Sequence, residues 1–328
     1  MSFIAILVAL MIEQARPMAR GNPIHGLLRS WVRWSARSFD AGRPQQAALA
    51  WSCAALLPTL LVFAVYWTLS LFTGWPLAVL WSVLVLYITL GFRQFSHHFT
   101  GIRNALDEGD EGKARQLLGE WRQQETGTVS QSELVGQVIE HSVIEAHRHV
   151  FGVIAWFSVL AAFGFGPAGA VFYRLCEFVP RYWGHRSLAA LQPVSQASQT
   201  MARQVWQWVD WLPARITAVG FAVVGSFEEA IESWRNYQQR GHGSNDGVIL
   251  SATAGAINVR LGDGARDTRA GKNRLSDGEV GPGPTADTGS IGQAPHNGHL
   301  RTVVGLVWRS VLMWMILLFL LSLARLLG

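Results

Sequence analysis

A chain of 328 residues with 50% hydrophobic residues, only 15% charged ones and 15 Trp is unlike a soluble domain of that size. Its formal net charge is +5, but the arginines stand beside apolar runs and not on a separate basic helix. Lipid headgroups are therefore their counter-charge, and nucleic acid is set aside as a partner. The two cysteines, Cys53 and Cys176, lie in or at the edge of apolar runs, which excludes a disulfide framework and a CxxC metal pattern. The composition predicts an all-α polytopic membrane protein of a bacterial inner membrane.

The first apolar run, Met1 to Ile12, resembles a signal-peptide core but has no positive start and no small-residue cleavage site before Glu13 and Arg16. It predicts a half-inserted helix, because crossing a bilayer takes about 20 residues. Together with the arginines at 16, 20, 29, 33, 37 and 43 it makes a first segment, 1–45, ending in a basic cytoplasmic loop. From Pro44 to Phe92 no residue is charged, and Thr73-Gly74-Trp75-Pro76 breaks the run. That predicts a transmembrane hairpin over 46–92, with helices 46–72 and 77–92 and both open ends in the cytoplasm.

Residues 93–148 then form cytoplasmic helices, one over Ala105 to Arg122 and one over Ser132 to His149, whose apolar side carries Leu134, Val135, Val138, Ile139 and Val143. A broken span follows over 149–173, interrupted at Gly164-Phe165-Gly166-Pro167-Ala168-Gly169. Trp206 to Phe227 is amphipathic and fits either a span or an interfacial helix. Residues 263–300 are rich in Gly, Pro, Asp, Ser and Thr and predict a flexible loop. The chain closes in a C-terminal anchor helix, 301–328, with Arg309 and Arg325 near its ends.

Three groups of residues are able to carry chemistry. His141, Glu145 and His149 stand at i, i+4 and i+8 beside Glu140, a spacing that aligns them on one helix face as metal ligands or as a solvated charged stripe. His97 and His98 form an interfacial pair where a span meets a cytoplasmic helix. Asp210 and Arg215 flank Pro213 in an otherwise apolar stretch, where burying them requires a partner or a site. No GxxxxGK[ST], GxSxG or HExxH occurs.

Trp211-Leu212-Pro213-Ala214-Arg215 resembles the N-x-[IL]-P-A-R motif of the CobD/CbiB family, membrane proteins that make adenosylcobinamide phosphate in cobalamin biosynthesis. Gly169-Ala170 with Tyr173-Arg174 resembles that family's GA..YR segment. Asn245 and Gly247, then Ala254-Gly255-Ala256 and Val259-Arg260-Leu261-Gly262, resemble its SPNAG and AGALGVRLG stretches. Ala114-Arg115, Thr126 and Glu140 fall at the spacing of its AR, RDT and VES positions. The resemblance makes 149–262 the family-like membrane region and implies an ATP- and Mg-dependent, amide-forming reaction.

This sequence departs from the pattern where the family has carboxylates. Glu177-Phe178-Val179-Pro180 replaces N-T-L-D, and Ile144, Glu145 and Arg148 replace the family's Glu-Asn and Asp. Trp206 and Gln207 replace paired aspartates, and Asp210 replaces the Asn. The run from Val209 to Arg215, Gly225, Glu228-Glu229 and the C-terminal span resemble the AmpE-type branch, associated with signalling. The resemblance thus implies a catalytically altered, AmpE-like regulatory protein first and the synthase as its alternative. A transporter is a third possibility, suggested by the interrupted span and the intramembrane Asp210 and Arg215. Glu140, Glu145, Asp210, Arg215 and Asn245 are the candidate site for a small-molecule ligand or a cytoplasmic protein.

Overall fold

The computed structural model describes residues 2–15, 23–122, 130–188, 194–240, 243–261 and 292–327. Thr126, Arg16, Arg20, Gly262 and most of the loop predicted over 263–300 lie outside them. Among the described residues the regular structure is helical, apart from a single bridge between Val259 and Gln293. The chain is an all-α membrane protein: Pro44–Phe72, Gln131–Ala162 and Asn297–Ala324 are each long and apolar enough to cross a bilayer. It divides into two compact units.

The first unit comprises Met1–Gln94, His147–Pro213 and Met315–Gly328. Helix α1 (Ser2–Ala15) is too short to span a bilayer, and its Ala5, Ile6 and Ala9 are buried. Helix α2 (Pro23–Phe39) is amphipathic. Helices α3 (Pro44–Phe72) and α4 (Trp75–Thr89) make the predicted hairpin, because Gly74 takes a left-handed φ of 84° and prolines stand in the first turn of each helix. Helix α4 stops three residues before the expected Phe92. Leu90 turns extended, with ψ 149°, and Gly91 lies against the His149 imidazole, where a Cβ would collide.

The interruption expected within 149–173 is a reversal of the chain. A π-helical turn (His147–Phe151) leads into α8 (Gly152–Ala162), and after Gly164 and Gly166, both with positive φ, α9 (Ala168–Leu188) returns alongside α8. The two helices touch backbone to backbone, since any side chain at Gly169 would fall into the Trp156 carbonyl. Helix α10 (Gln196–Val224) begins earlier than the amphipathic pattern suggests. Asp40 explains the start, accepting from the Ser195 backbone N–H at 2.7 Å and the Ser198 hydroxyl at 3.0 Å.

Pro213 sits inside α10 and cannot donate to the carbonyl of Val209. The Trp156 indole N–H donates to that carbonyl instead, at 3.0 Å, so the proline leaves no orphan acceptor.

The second unit comprises Phe95–Ala146 and Ala214–Trp314. The helix expected from Ala105 to Arg122 is two helices, α5 (Phe92–Asp107) and α6 (Glu111–Arg122). Gly109 turns left-handed between them at φ 78°, and the Asp110 carboxylate caps α6 by accepting from the Lys113 N–H at 2.9 Å. Helix α7 (Gln131–Ala146) buries the predicted apolar side. Helices α11 (Phe227–Gln239) and α12 (Asn245–Ala256) form a tight pair, with Gly255 against the backbone of Glu229 and Ala230 and Gly225 against Ala256. The last helix, α13 (Asn297–Leu327), starts inside the segment predicted as loop, where the Asn297 side chain donates to the Leu106 carbonyl at 3.1 Å.

Candidate functional site

The π turn at 147–151 is the first local sign of a site. Such turns insert an extra residue into a helix and recur where function needs a re-aimed side chain. Here the turn places His147 with Tyr173 of α9 and Asp210 of α10, all three wholly buried.

The Asp210 carboxylate oxygen Oδ1 is the hub. His147 Nε2 lies 2.8 Å from it, the Tyr173 hydroxyl donates to it at 2.8 Å, and the His147 and Tyr173 atoms are 3.3 Å apart. The Tyr173 hydroxyl is the donor to Oδ1, and His147 Nε2 joins it as a second, charge-assisted donor in the tautomer that carries its hydrogen there. The second oxygen, Oδ2, has no hydrogen-bond partner among the described residues. Gly152 makes the arrangement possible, because a Cβ there would overlap the Tyr173 ring. Trp206 closes one side, its ring centroid 5.3 Å from that of Tyr173.

One turn further along α9 lies a second buried carboxylate. Glu177 is 3% exposed and pairs with Arg174 at 3.3 Å and Arg181 at 3.2 Å. Spacings of three and four residues bring these side chains onto one face, so the carboxylate is neutralised within its own helix.

In the second unit, Arg215 donates to the Asn245 side-chain oxygen at 3.3 Å, bringing together two residues of the predicted site. Asn245 opens α12, whose N-terminus is held by Ser244 accepting from the Gly247 N–H at 3.1 Å and bonded to the Tyr237 hydroxyl at 2.8 Å. Gly247 is obligatory in this packing, as any side chain would strike the Tyr237 hydroxyl. Glu140, His141 and Glu145 are partly buried on α7. The His141 ring meets Trp121 edge-on at 4.4 Å, and His98 stacks on Trp121 at 5.7 Å.

The predicted ligands His141, Glu145 and His149 do not continue as one stripe. The π turn falls between Glu145 and His149 and changes the helical register, and His149 packs on Gly91 in the first unit. Among the described residues no three His, Cys, Asp or Glu side chains converge to hold a metal ion. Magnesium requires several hard oxygen ligands. Asp210 is engaged on one oxygen and Glu177 is paired with arginines, so the described donors do not fit that ion.

Asp210 was legible as a polar group in an apolar stretch. His147 was not, although one signal existed: a His-Arg-His run standing directly before the apolar segment. Tyr173 appeared only through its resemblance to a family segment.

A family model described as CobD/Cbib protein matches residues 3–291. The chain is 30% identical to the cobalamin biosynthesis protein CobD of Stutzerimonas stutzeri over 324 residues, covering 96% of each. It is 30% identical to the protein of the same name from Chromobacterium violaceum over 238 residues, 73% of this chain and 69% of that one. A third protein of that name, from Desulfotalea psychrophila, is 22% identical over 280 residues. No solved structure matches.

Proposed function

The chain belongs to the CobD/CbiB family, and from that membership we propose that it acts in cobalamin biosynthesis as an adenosylcobinamide-phosphate synthase. We place it in a bacterial inner membrane, crossing the bilayer several times. The observation that carries the proposal is the match over 96% of the chain to a protein named for cobalamin biosynthesis, within a family model that matches residues 3–291.

The geometry supports it in two places. Making an amide from a corrinoid carboxyl group requires anionic groups to be held and an amine to lose a proton. Arg215, oriented by Asn245, is a cation suited to an anionic group. Within the first unit, Asp210 fixes α10 up to Pro213 through His147 and Tyr173. ATP would supply the carboxyl activation when bound.

A regulatory, AmpE-like role is the second reading. It is favoured by Pro180, which stands where the family pattern has Asp, and by Glu177, which stands where it has Asn and is paired with two arginines.

One experiment separates the two. A bacterial strain lacking its own CobD and fed cobyric acid is expected to regain cobalamin-dependent growth when this chain is expressed. If the Stutzerimonas stutzeri relative restores growth and this chain, present in the membrane in equal amount, does not, the synthase proposal is overturned.

A further inference from the structure

A groove of about 530 Å³ in the first unit is lined by Pro44 and Ala47 of α3 and, among others on α10, by Met201, Gln204, Val205 and Trp208. Its position is defined by α3, an apolar span whose first residue is Pro44. The groove therefore lies where a bilayer changes from headgroups to acyl chains. Trp208, 82% exposed, is the kind of side chain that settles at this level.

Basic residues lead into the groove along the chain, and one of them, Arg33, meets the Tyr182 hydroxyl at 3.4 Å. Arg43 immediately precedes Pro44, and α2 carries Arg29, Arg33 and Arg37 at successive four-residue intervals, which aligns them on one side. The Asp40 carboxylate at the end of α2 accepts from the Ser195 N–H and the Ser198 hydroxyl. That bond also ties the end of α2 to the start of α10, so the arginines and the groove wall are held together. Exposed Leu27 and Trp34 mark α2 as a helix lying in the interface.

We propose that this groove holds one anionic glycerophospholipid of the surrounding bilayer. An acyl chain lies against Ala47, Met201, Val205 and Trp208, the ester region meets Thr200 and Gln204, and the phosphate is bound by Arg37 and Arg43. The assignment is independent of the reaction the protein performs.

Native mass spectrometry of the purified protein, with phosphatidylglycerol or phosphatidylcholine added back, tests it. Wild type is expected to retain one phosphatidylglycerol and to discriminate against phosphatidylcholine. Arg37→Gln with Arg43→Gln, both exposed sites, should lower that retention by at least about tenfold. Val205→Trp should lower it by filling the groove, whereas Arg203→Gln, off the groove face of α10, should not. Equal retention of both lipids, or an equal loss with Arg203→Gln, overturns the site. So does glycerol phosphate raising the thermal midpoint as much as phosphatidylglycerol does, because the acyl groove would then contribute nothing.

Discussion

Asp210 stands where the family motif has Asn, and the surrounding side chains give a physical reason for an acid there. The Tyr173 hydroxyl directs its hydrogen at Oδ1 and His147 Nε2 lies at the same distance, and a carboxylate accepts such bonds more strongly than an amide. Removing one partner of a buried charged set leaves the others desolvated and unmatched. Asp210→Ala should therefore destabilise the protein by about 3 kcal/mol. Asp210→Asn, which keeps an acceptor oxygen, should cost about 1 kcal/mol. Thermal unfolding in one fixed detergent ranks the three proteins, and an Asp210→Ala midpoint equal to wild type would remove the set from the list of stabilising contacts. Asp40 makes a different prediction, about pH. Partial burial pushes its carboxyl up, but the bonds from Ser195, Ser198 and the Gly42 N–H outweigh this and hold it below the usual carboxylate range. A group depressed on folding stabilises fully above its unfolded value of about 3.9 and loses that contribution as pH falls through the lower folded value. The difference in thermal midpoint between wild type and Asp40→Ala should be constant from neutral pH to about 5 and should shrink below about 4. A difference that persists undiminished at pH 3 would contradict this.

Single helices show most directly what the sequence disclosed and what it withheld. The turn between α3 and α4 was legible because Gly74 and Pro76 break a long uncharged run by local sterics alone. The α8–α9 reversal was legible only as an interruption. Its direction depends on α9 approaching the α8 backbone at Gly169, a tertiary contact that leaves no periodic trace. For the same reason the sequence marked Asp210 and not His147, whose direction is set by a π turn outside any 3.6-residue pattern. Arg215 and Asn245, read as neighbours through family motifs, are bonded, whereas Glu140 and Glu145 remain on α7 with no carboxylate cluster around them among the described residues. Two glycines of α9 turn this into a measurement. Gly169→Ala should greatly reduce the yield of folded protein, since its methyl group would enter the Trp156 carbonyl. Gly184→Ala, with open space around its site, should be neutral or gain up to about 1 kcal/mol from helix propensity. Fluorescence-detected gel filtration of the two variants side by side reads the outcome, and equal profiles would refute the close approach of α8 and α9.

At the scale of the molecule, charge fixes orientation where hydropathy fixes only depth. The span α3 has Arg29, Arg33, Arg37 and Arg43 before its first residue and no charge at its far turn, Thr73-Gly74. Positive residues are retained in the cytoplasm during insertion, so the end of α2 should face the cytoplasm and the α3–α4 turn the opposite side. Cysteines introduced at two exposed positions report this, Ser38 beside the arginines and Thr73 at the turn. The native Cys176 is buried and Cys53 is half-buried within α3, so both should give a low background to a membrane-impermeant maleimide. In intact cells or spheroplasts Thr73→Cys should label and Ser38→Cys should not, and Ser38→Cys should label once the membrane is opened. The reverse pattern would invert the protein. It would place the basic α2 stripe and the mouth of the lipid groove on the outer face, where no excess of positive charge is expected to settle.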